Sequence, residues 1–141
     1  GSKRNGPDLA RVGNKYSDEW HREHLTKPSS VVPETIMPGY PFLAEAKLSY
    51  ALIGNDLKVN QILGVPYSDD QVTNAVADLK AQLDEDSDDY DAFIERYPSA
   101  QVRDFDGNSS EITELDALIA YLQMLGTLVD FSIYNETENN R

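Results

Sequence analysis

The chain has 141 residues, enough for one domain with a hydrophobic core, and its 40% hydrophobic and 26% charged residues are typical of a globular protein. Its net charge of −13 argues against binding to nucleic acid or to an anionic membrane surface. It would attract a basic protein partner, although solubility is the favoured explanation of most of the charge. The absence of cysteine excludes disulfides, thiolate metal sites and a cysteine nucleophile. No stretch approaches the roughly 18 apolar residues that span a bilayer.

Apolar residues recur at helical spacing without β-type alternation, which predicts a mostly α fold. The predicted helices cover residues 18–27, 56–63, 69–83, 90–97 and 112–125. Ser17 is a good N-cap for the first helix, and Ser68 with Gln71 resembles a capping box for the third. The four prolines of residues 28–43 predict an extended loop that is neither helix nor central strand.

Two histidines, His21 and His24, lie three residues apart on the first predicted helix. This spacing can hold a transition metal, but nothing else in the sequence completes such a site. A solvated helix face is the favoured interpretation.

The acidic segment of residues 69–97 contains a partial match to an EF-hand calcium loop. Positions one, three, five, seven and twelve of that loop correspond to Asp84, Asp86, Asp88, Tyr90 and Glu95. Position six should be glycine for the sharp turn but is Asp89, and position eight should be apolar but is Asp91. Weak calcium binding by clustered charge is one interpretation, and a solvated acidic turn is the favoured one.

Three stretches together resemble a known family. They are Gly-Pro-Asp-Leu-Ala-Arg-Val-Gly at 6–13, Trp-His through Ile-Met-Pro-Gly-Tyr-Pro at 20–41, and Glu-Leu-Asp-Ala-Leu-Ile-Ala-Tyr-Leu-Gln at 114–123. The first is similar to the loop after the haem-attachment helix of class I cytochromes c. Their combination and order resemble the monohaem cytochrome c subunit (CcoO/FixO) of cbb3-type cytochrome c oxidases, over roughly residues 4–43, 63–67 and 104–131.

The resemblance implies a haem c held through a Cys-x-x-Cys-His motif, whose histidine is one axial ligand, while Met37 is the second. It implies that the carbonyl of Pro7 orients that histidine and that Leu9 lines the haem edge. Tyr16 and Trp20 are candidates to donate hydrogen bonds to a haem propionate. Because the chain has no cysteine, the attachment motif is expected upstream of its first residue. We therefore expect no cofactor in this fragment.

The expected architecture is a class I cytochrome c-like domain at residues 3–131 that lacks its N-terminal haem-attachment helix. A helical acidic insertion is expected at about 69–97, a flexible tail at 132–141, and Gly1–Ser2 reads as an expression-tag remnant. In class I cytochromes the missing helix crosses the last one. We therefore predict that the 112–125 helix folds onto the 69–83 helix, or that two chains form a homodimer through it.

The function implied by the resemblance is electron transfer, from a cytochrome donor through haem c to the oxygen-reducing subunit of a terminal oxidase. The subunit would not be an enzyme on its own, and it would lie on the periplasmic face of the bacterial inner membrane through an anchor absent from this chain. Two alternatives are open: a non-redox helical interaction module, with or without weak calcium binding, and a soluble class I cytochrome from another pathway.

Overall fold

The computed structural model describes residues 6–128, and within them the chain is helical with no β-strand. The helices are α1 (Asp18–Thr26), α2 (Pro28–Val31), α3 (Ile53–Ile62), α4 (Asp69–Ala81), α5 (Tyr90–Arg96) and α6 (Glu114–Met124). A 3₁₀ helix, Pro41–Ala44, precedes α3, and a single antiparallel bridge joins Lys47 to Thr113. The prediction of a mostly α fold is confirmed. The ends 1–5 and 129–141, including the predicted tag remnant and tail, lie outside the described residues.

The local signals for helix starts and ends are confirmed by the hydrogen bonds. The hydroxyl of Ser17 accepts the backbone N–H of Trp20 at 3.1 Å, and the side chains of Ser68 and Gln71 exchange bonds with each other's backbone N–H as a capping box. Gly64, after α3, has a φ of +98°, a conformation that glycine adopts without steric cost. These features depend only on residues close in sequence.

The prediction of an unbroken extended loop over residues 28–43 was wrong. Pro28 is the first residue of α2, and Pro41 is the first residue of the 3₁₀ helix. Proline lacks a backbone N–H, but the first turn of a helix has no intrahelical acceptor for that group, so proline fits there. Between them, Pro33 and Glu34 form a turn in which the N–H of Thr35 donates to the carbonyl of Val32, and residues 35–40 lie outside any helix or turn.

Helices α3 and α4 pack against each other, and their bounds differ from the prediction. The earlier helix begins at Ile53, three residues before the predicted start, and α4 ends at Ala81 rather than at residue 83. The residues of α4 that are fully buried are Ala75, Asp78 and Ala81, while the predicted apolar stripe is only half-buried. Asp78 can be buried because its carboxylate is paired with a cation from α5.

That cation is Arg96, which ties α5 back onto α4. Its Nε donates to both carboxylate oxygens of Asp78 at 3.0 Å, and the side chain of Asp78 is only 5% exposed. Burial of the phenol, with the nearby Asp78 carboxylate adding to the effect, raises the pKa of Tyr97 to about 12. A buried ion pair therefore holds the two helices of residues 69–97 together.

The prediction that the last helix folds onto the 69–83 helix was wrong. Helix α6 packs against α1 and the 3₁₀ helix, and its residues Leu115, Ile119 and Leu122 form the core with Val12, Leu25 and Phe105. The apolar face of α6 is thus covered by the N-terminal loop and α1, which lie near the other end of the sequence. Pairing of two chains through α6 stays a prediction.

Candidate functional site

Met37 lies on the extended segment between α2 and the 3₁₀ helix, half-buried against the hydrophobic core. Its backbone N–H donates to the hydroxyl of Thr35 at 3.1 Å. Two apolar residues that precede it in the chain are exposed, Ile36 to 89% and Val32 to 40%. The thioether therefore sits at the edge of the core, beside apolar surface that the protein itself leaves uncovered.

The segment that follows Met37 is fixed to the end of α1. The backbone N–H of Tyr40 donates to the carbonyl of Leu25 at 2.7 Å, and a Cβ on Gly39 would lie 2.5 Å from the carbonyl oxygen of Thr26. Glycine is needed at position 39 because two backbones touch there. The position of Met37 is thus set by α1.

Pro7 and Leu9 lie on the exposed N-terminal loop, and this loop is held by the end of α6. The backbone N–H of Gly13 donates to the carbonyl of Leu125 at 2.9 Å. Gly126, with a φ of +81°, approaches the loop so closely that a Cβ would lie 2.7 Å from the carbonyl oxygen of Ala10. Leu9 itself is half exposed, which leaves its side chain free to line the edge of a bound group.

Gln123 connects this loop, α1 and α6, and the sequence argument missed it. Its side-chain oxygen accepts the N–H of Asn14 at 2.9 Å, and its amide nitrogen donates to the carbonyl of Tyr16 at 2.9 Å and to the carboxylate of Asp18 at 2.6 Å. Arg103 also pairs with Asp18. Burial works against ionisation of Asp18, but the bonds from Arg103 and Gln123 outweigh it, so its pKa lies below the ordinary value. No local sequence signal predicts a contact between residues 123 and 14.

Tyr16, Trp20, His21 and His24 form an aromatic cluster on α1 and the turn before it. Trp20 stacks on Tyr16 with ring centroids 4.0 Å apart and on His24 at 4.5 Å, and His21 meets both Tyr16 and Trp20 edge-on. Lys15 Nζ lies 5.3 Å from the centre of the Tyr16 ring. The interpretation of the histidines as a solvated face was wrong, because His21 is 3% exposed and His24 is half-buried.

The acidic candidates Asp84, Asp86 and Glu95 are exposed, and the carboxylate of Asp84 accepts the backbone N–H of Asp86 within its own turn. Calcium binding there stays a prediction. Between residues 6 and 128, the group of carboxylates close enough to share a metal ion is a different one. It consists of Asp104, Asp106 and Asp116.

Asp106 and Asp116 in this second group are already engaged by protein donors. Asp116 accepts the backbone N–H groups of Asp106 and Thr113, both at 3.0 Å, and the Thr113 hydroxyl donates to Asp106 at 2.6 Å. Burial raises the pKa of Asp116 above its usual value, and the bonds from Thr113 only partly offset this. The geometry fits a structural cap on α6, since Thr113 and Asp116 form its capping box.

A cavity of about 730 Å³ lies on another side of the molecule, between α3, α4, α5 and α6. Its wall includes Leu57, Leu79, Phe93 and Tyr121, together with the Arg96 side chain. Met37 and the aromatic cluster of α1 do not line it. This cavity and the predicted ligand residues therefore belong to different regions of the described chain.

The family comparison covers nearly the whole chain. The family model described as "Cytochrome C oxidase, mono-heme subunit/FixO" matches residues 1–129. The chain belongs to the FixO family. The resemblance of the three sequence stretches to that family is thereby confirmed. A search of curated proteins gave no match.

Membership of the FixO family establishes the general role of the chain. FixO proteins are haem-containing electron-transfer subunits of cytochrome c oxidase, an oxidoreductase complex associated with a membrane. Over residues 6–128, none of the helices has both the length and the apolar character needed to cross a bilayer. The roles of Pro7, Leu9, Tyr16, Trp20 and Met37 as haem contacts stay predictions.

Proposed function

We propose that this FixO chain carries single electrons through a haem c whose axial ligand is the sulfur of Met37. The observation that supports this most directly is the setting of that side chain. It is half-buried at the edge of the core, on a segment fixed to α1 by the Tyr40–Leu25 hydrogen bond and the close Gly39–Thr26 contact. An axial thioether must not drift, since its loss opens the iron to other ligands.

The chemistry of the thioether suits an electron carrier. Sulfur is a soft, neutral ligand that favours ferrous iron and raises the reduction potential. Haem c, when bound, supplies the iron that accepts and releases the electron. The side chain of Ile36, next to Met37 in the chain, is exposed apolar surface of the kind that a porphyrin covers.

The other predicted contacts are part of the same proposal. The Pro7 carbonyl accepts a hydrogen bond from the proximal histidine, which comes from a Cys-x-x-Cys-His segment outside these residues. Leu9 lines the haem edge, and Tyr16 and Trp20 donate to a propionate. Their support is that the loop bearing Pro7 and Leu9 and the aromatic cluster on α1 are both tied to Gln123 and the end of α6.

We also propose the finer identity of the subunit. Residues 3–131 belong to a class I cytochrome c-like domain of a cbb3-type oxidase, at the periplasmic face of the inner membrane. The subunit passes electrons to the oxygen-reducing subunit and has no catalytic site of its own. A longer chain with a hydrophobic helix and a Cys-x-x-Cys-His motif ahead of residue 1 supports this, whereas a haem motif without that helix would indicate a soluble cytochrome.

The acidic segment 69–97 is proposed to face a basic electron donor or a neighbouring subunit. It contains ten acidic side chains and two basic ones, and the turn between α4 and α5 exposes Asp84, Glu85 and Asp86. Opposite charge accelerates encounter at low ionic strength. Replacement of Asp84, Asp86, Asp88 and Asp89 by asparagine should slow reduction by a cytochrome donor at low salt. Unchanged kinetics at low salt would contradict this role.

The axial ligand is tested with the two methionines of the chain, Met37 and Met124. The full-length subunit is produced with cytochrome c maturation machinery, and the Met37→Ala and Met124→Ala variants are compared by absorption spectroscopy and redox titration. Met37→Ala should lose the methionine–iron charge-transfer band and have a lower reduction potential. Met124→Ala, at the far end of α6, should keep both. A band that survives Met37→Ala excludes Met37 as the ligand.

A further inference from the structure

His21 contains a buried polar atom that the described chain does not satisfy. The residue is 3% exposed, and its Nε2 has no hydrogen-bond partner among residues 6–128. Burial lowers the pKa of the imidazole, partly opposed by the nearby Asp18 carboxylate, so the ring is neutral at pH 7. A buried polar group without a partner costs free energy, and native proteins rarely leave one. The missing partner is therefore expected outside the described residues.

Metal ligation does not account for this atom. The second histidine, His24, stacks on Trp20 with ring centroids 4.5 Å apart. Neither histidine belongs to the group of side chains in the described chain that lie close enough to share an ion. A hydrogen bond is the remaining chemistry for a neutral imidazole N–H at this position.

The surroundings of His21 indicate the kind of acceptor. Its ring lies 6.0 Å from the ring of Tyr16 and 5.4 Å from that of Trp20, centroid to centroid. These are the two residues proposed to donate to a haem propionate. Asp18, the nearest carboxylate on α1, is already bonded to Arg103 and Gln123. An acceptor introduced with the haem at this cluster would lie near three possible donors, Tyr16 in the turn before α1 and Trp20 and His21 on α1.

We infer that Nε2 of His21 donates a hydrogen bond to a propionate carboxylate of the haem, an inference that rests on the proposed function. The bond satisfies the buried N–H and draws negative charge away from the porphyrin edge. Since a propionate charge stabilises ferric iron, this bond raises the reduction potential. His21 acts here as a positioning residue that sets the haem edge against α1.

The test uses the haem-loaded full-length subunit with two substitutions, His21→Leu and His21→Gln. Leucine removes the donor, while glutamine retains an N–H. We expect His21→Leu to lower the equilibrium constant for reduction about threefold, which corresponds to about 28 mV at 59 mV per tenfold change. His21→Gln should recover most of that loss. Infrared redox-difference spectra with labelled propionates should show the carboxylate bands shifted in His21→Leu.

The haem-free 141-residue chain gives a second readout with a different expectation. There the N–H has no partner to lose, so His21→Leu should leave the midpoint of thermal unfolding unchanged or raise it. A merely structural histidine would instead lower that midpoint.

Three results would overturn the inference: an unchanged potential in His21→Leu, an equal loss in both variants, or carboxylate bands that do not move. The last would indicate a backbone carbonyl of the haem-attachment segment as the acceptor. The proposed function fails separately, if the wild-type subunit lacks the methionine–iron band or if that band survives Met37→Ala.

Discussion

The contact between the N-terminal loop and the end of α6 can be measured with a matched pair of glycine substitutions. Gly126 and Gly107 both have a φ of +81°. A Cβ on Gly126 would lie 2.7 Å from the carbonyl oxygen of Ala10 and 2.8 Å from the Cα of Arg11, whereas a Cβ on Gly107 would have no atom within 4 Å. The two alanine variants therefore share the cost of the left-handed backbone and differ in the contact.

The expected magnitudes follow from that difference. Alanine in the left-handed region costs about 1–2 kcal/mol, which is the whole loss expected for Gly107→Ala. Gly126→Ala should lose about 1–3 kcal/mol more in the free energy of unfolding through overpacking, because the backbone atoms next to the new Cβ cannot change rotamer. Against a total stability of about 5–15 kcal/mol, this extra loss is readily measured.

Urea unfolding followed by far-UV circular dichroism provides the assay, with the m-value checked for constancy. Gly13→Ala serves as a further variant, since its Cβ would strike the carbonyls of Gln123 and Leu125 without a left-handed backbone. It should also be destabilised. Equal losses in Gly126→Ala and Gly107→Ala would refute the close contact, and with it the reasoning that α6 positions the loop bearing Pro7 and Leu9.

Three further predictions concern two ion pairs and the Gln123 side chain. Arg96→Met should lower the free energy of unfolding by about 3–5 kcal/mol, because it leaves the buried carboxylate of Asp78 unpaired. Lys58→Met removes an exposed ion pair and should lower it by under about 1 kcal/mol, and comparable losses of the two variants in urea unfolding would contradict the buried pairing. The pKa of Asp18 is lowered on folding, so the stabilisation from its carboxylate is present above pH 3.8 and is lost as the pH falls through the folded-state pKa. The unfolding temperatures of Asp18→Asn and of the wild type should therefore converge in acid. A difference between them that stays constant as the pH falls would count against the Arg103 pairing. Gln123→Leu should lose about 3 kcal/mol through three hydrogen bonds, and amide exchange at Asn14 should accelerate; an unchanged rate there would show that the bond does not hold the loop.

The helices were predictable from sequence because their starts and ends are local. Ser17, Ser68 and Gln71 act within four residues of the groups they cap, and glycine after α3 and α6 allows the chain to turn. The family was also readable from sequence, since its motifs are short and follow a fixed order. The prolines misled the prediction because the same residue that breaks a helix interior also starts a helix well.

The tertiary structure alone decided which surfaces meet. The burial of His21, the need for Gly39 beside Thr26 and the partner of α6 all depend on residues that are brought together from different parts of the chain. Hydrophobic periodicity shows which face of a helix must be buried. It does not show which element buries that face, because the hydrophobic effect is non-directional. The sequence therefore determined five of the six α-helices of the described residues, the caps of α1 and α4, and the FixO family. The fold determined that α1 and the N-terminal loop, rather than α4, cover the last helix.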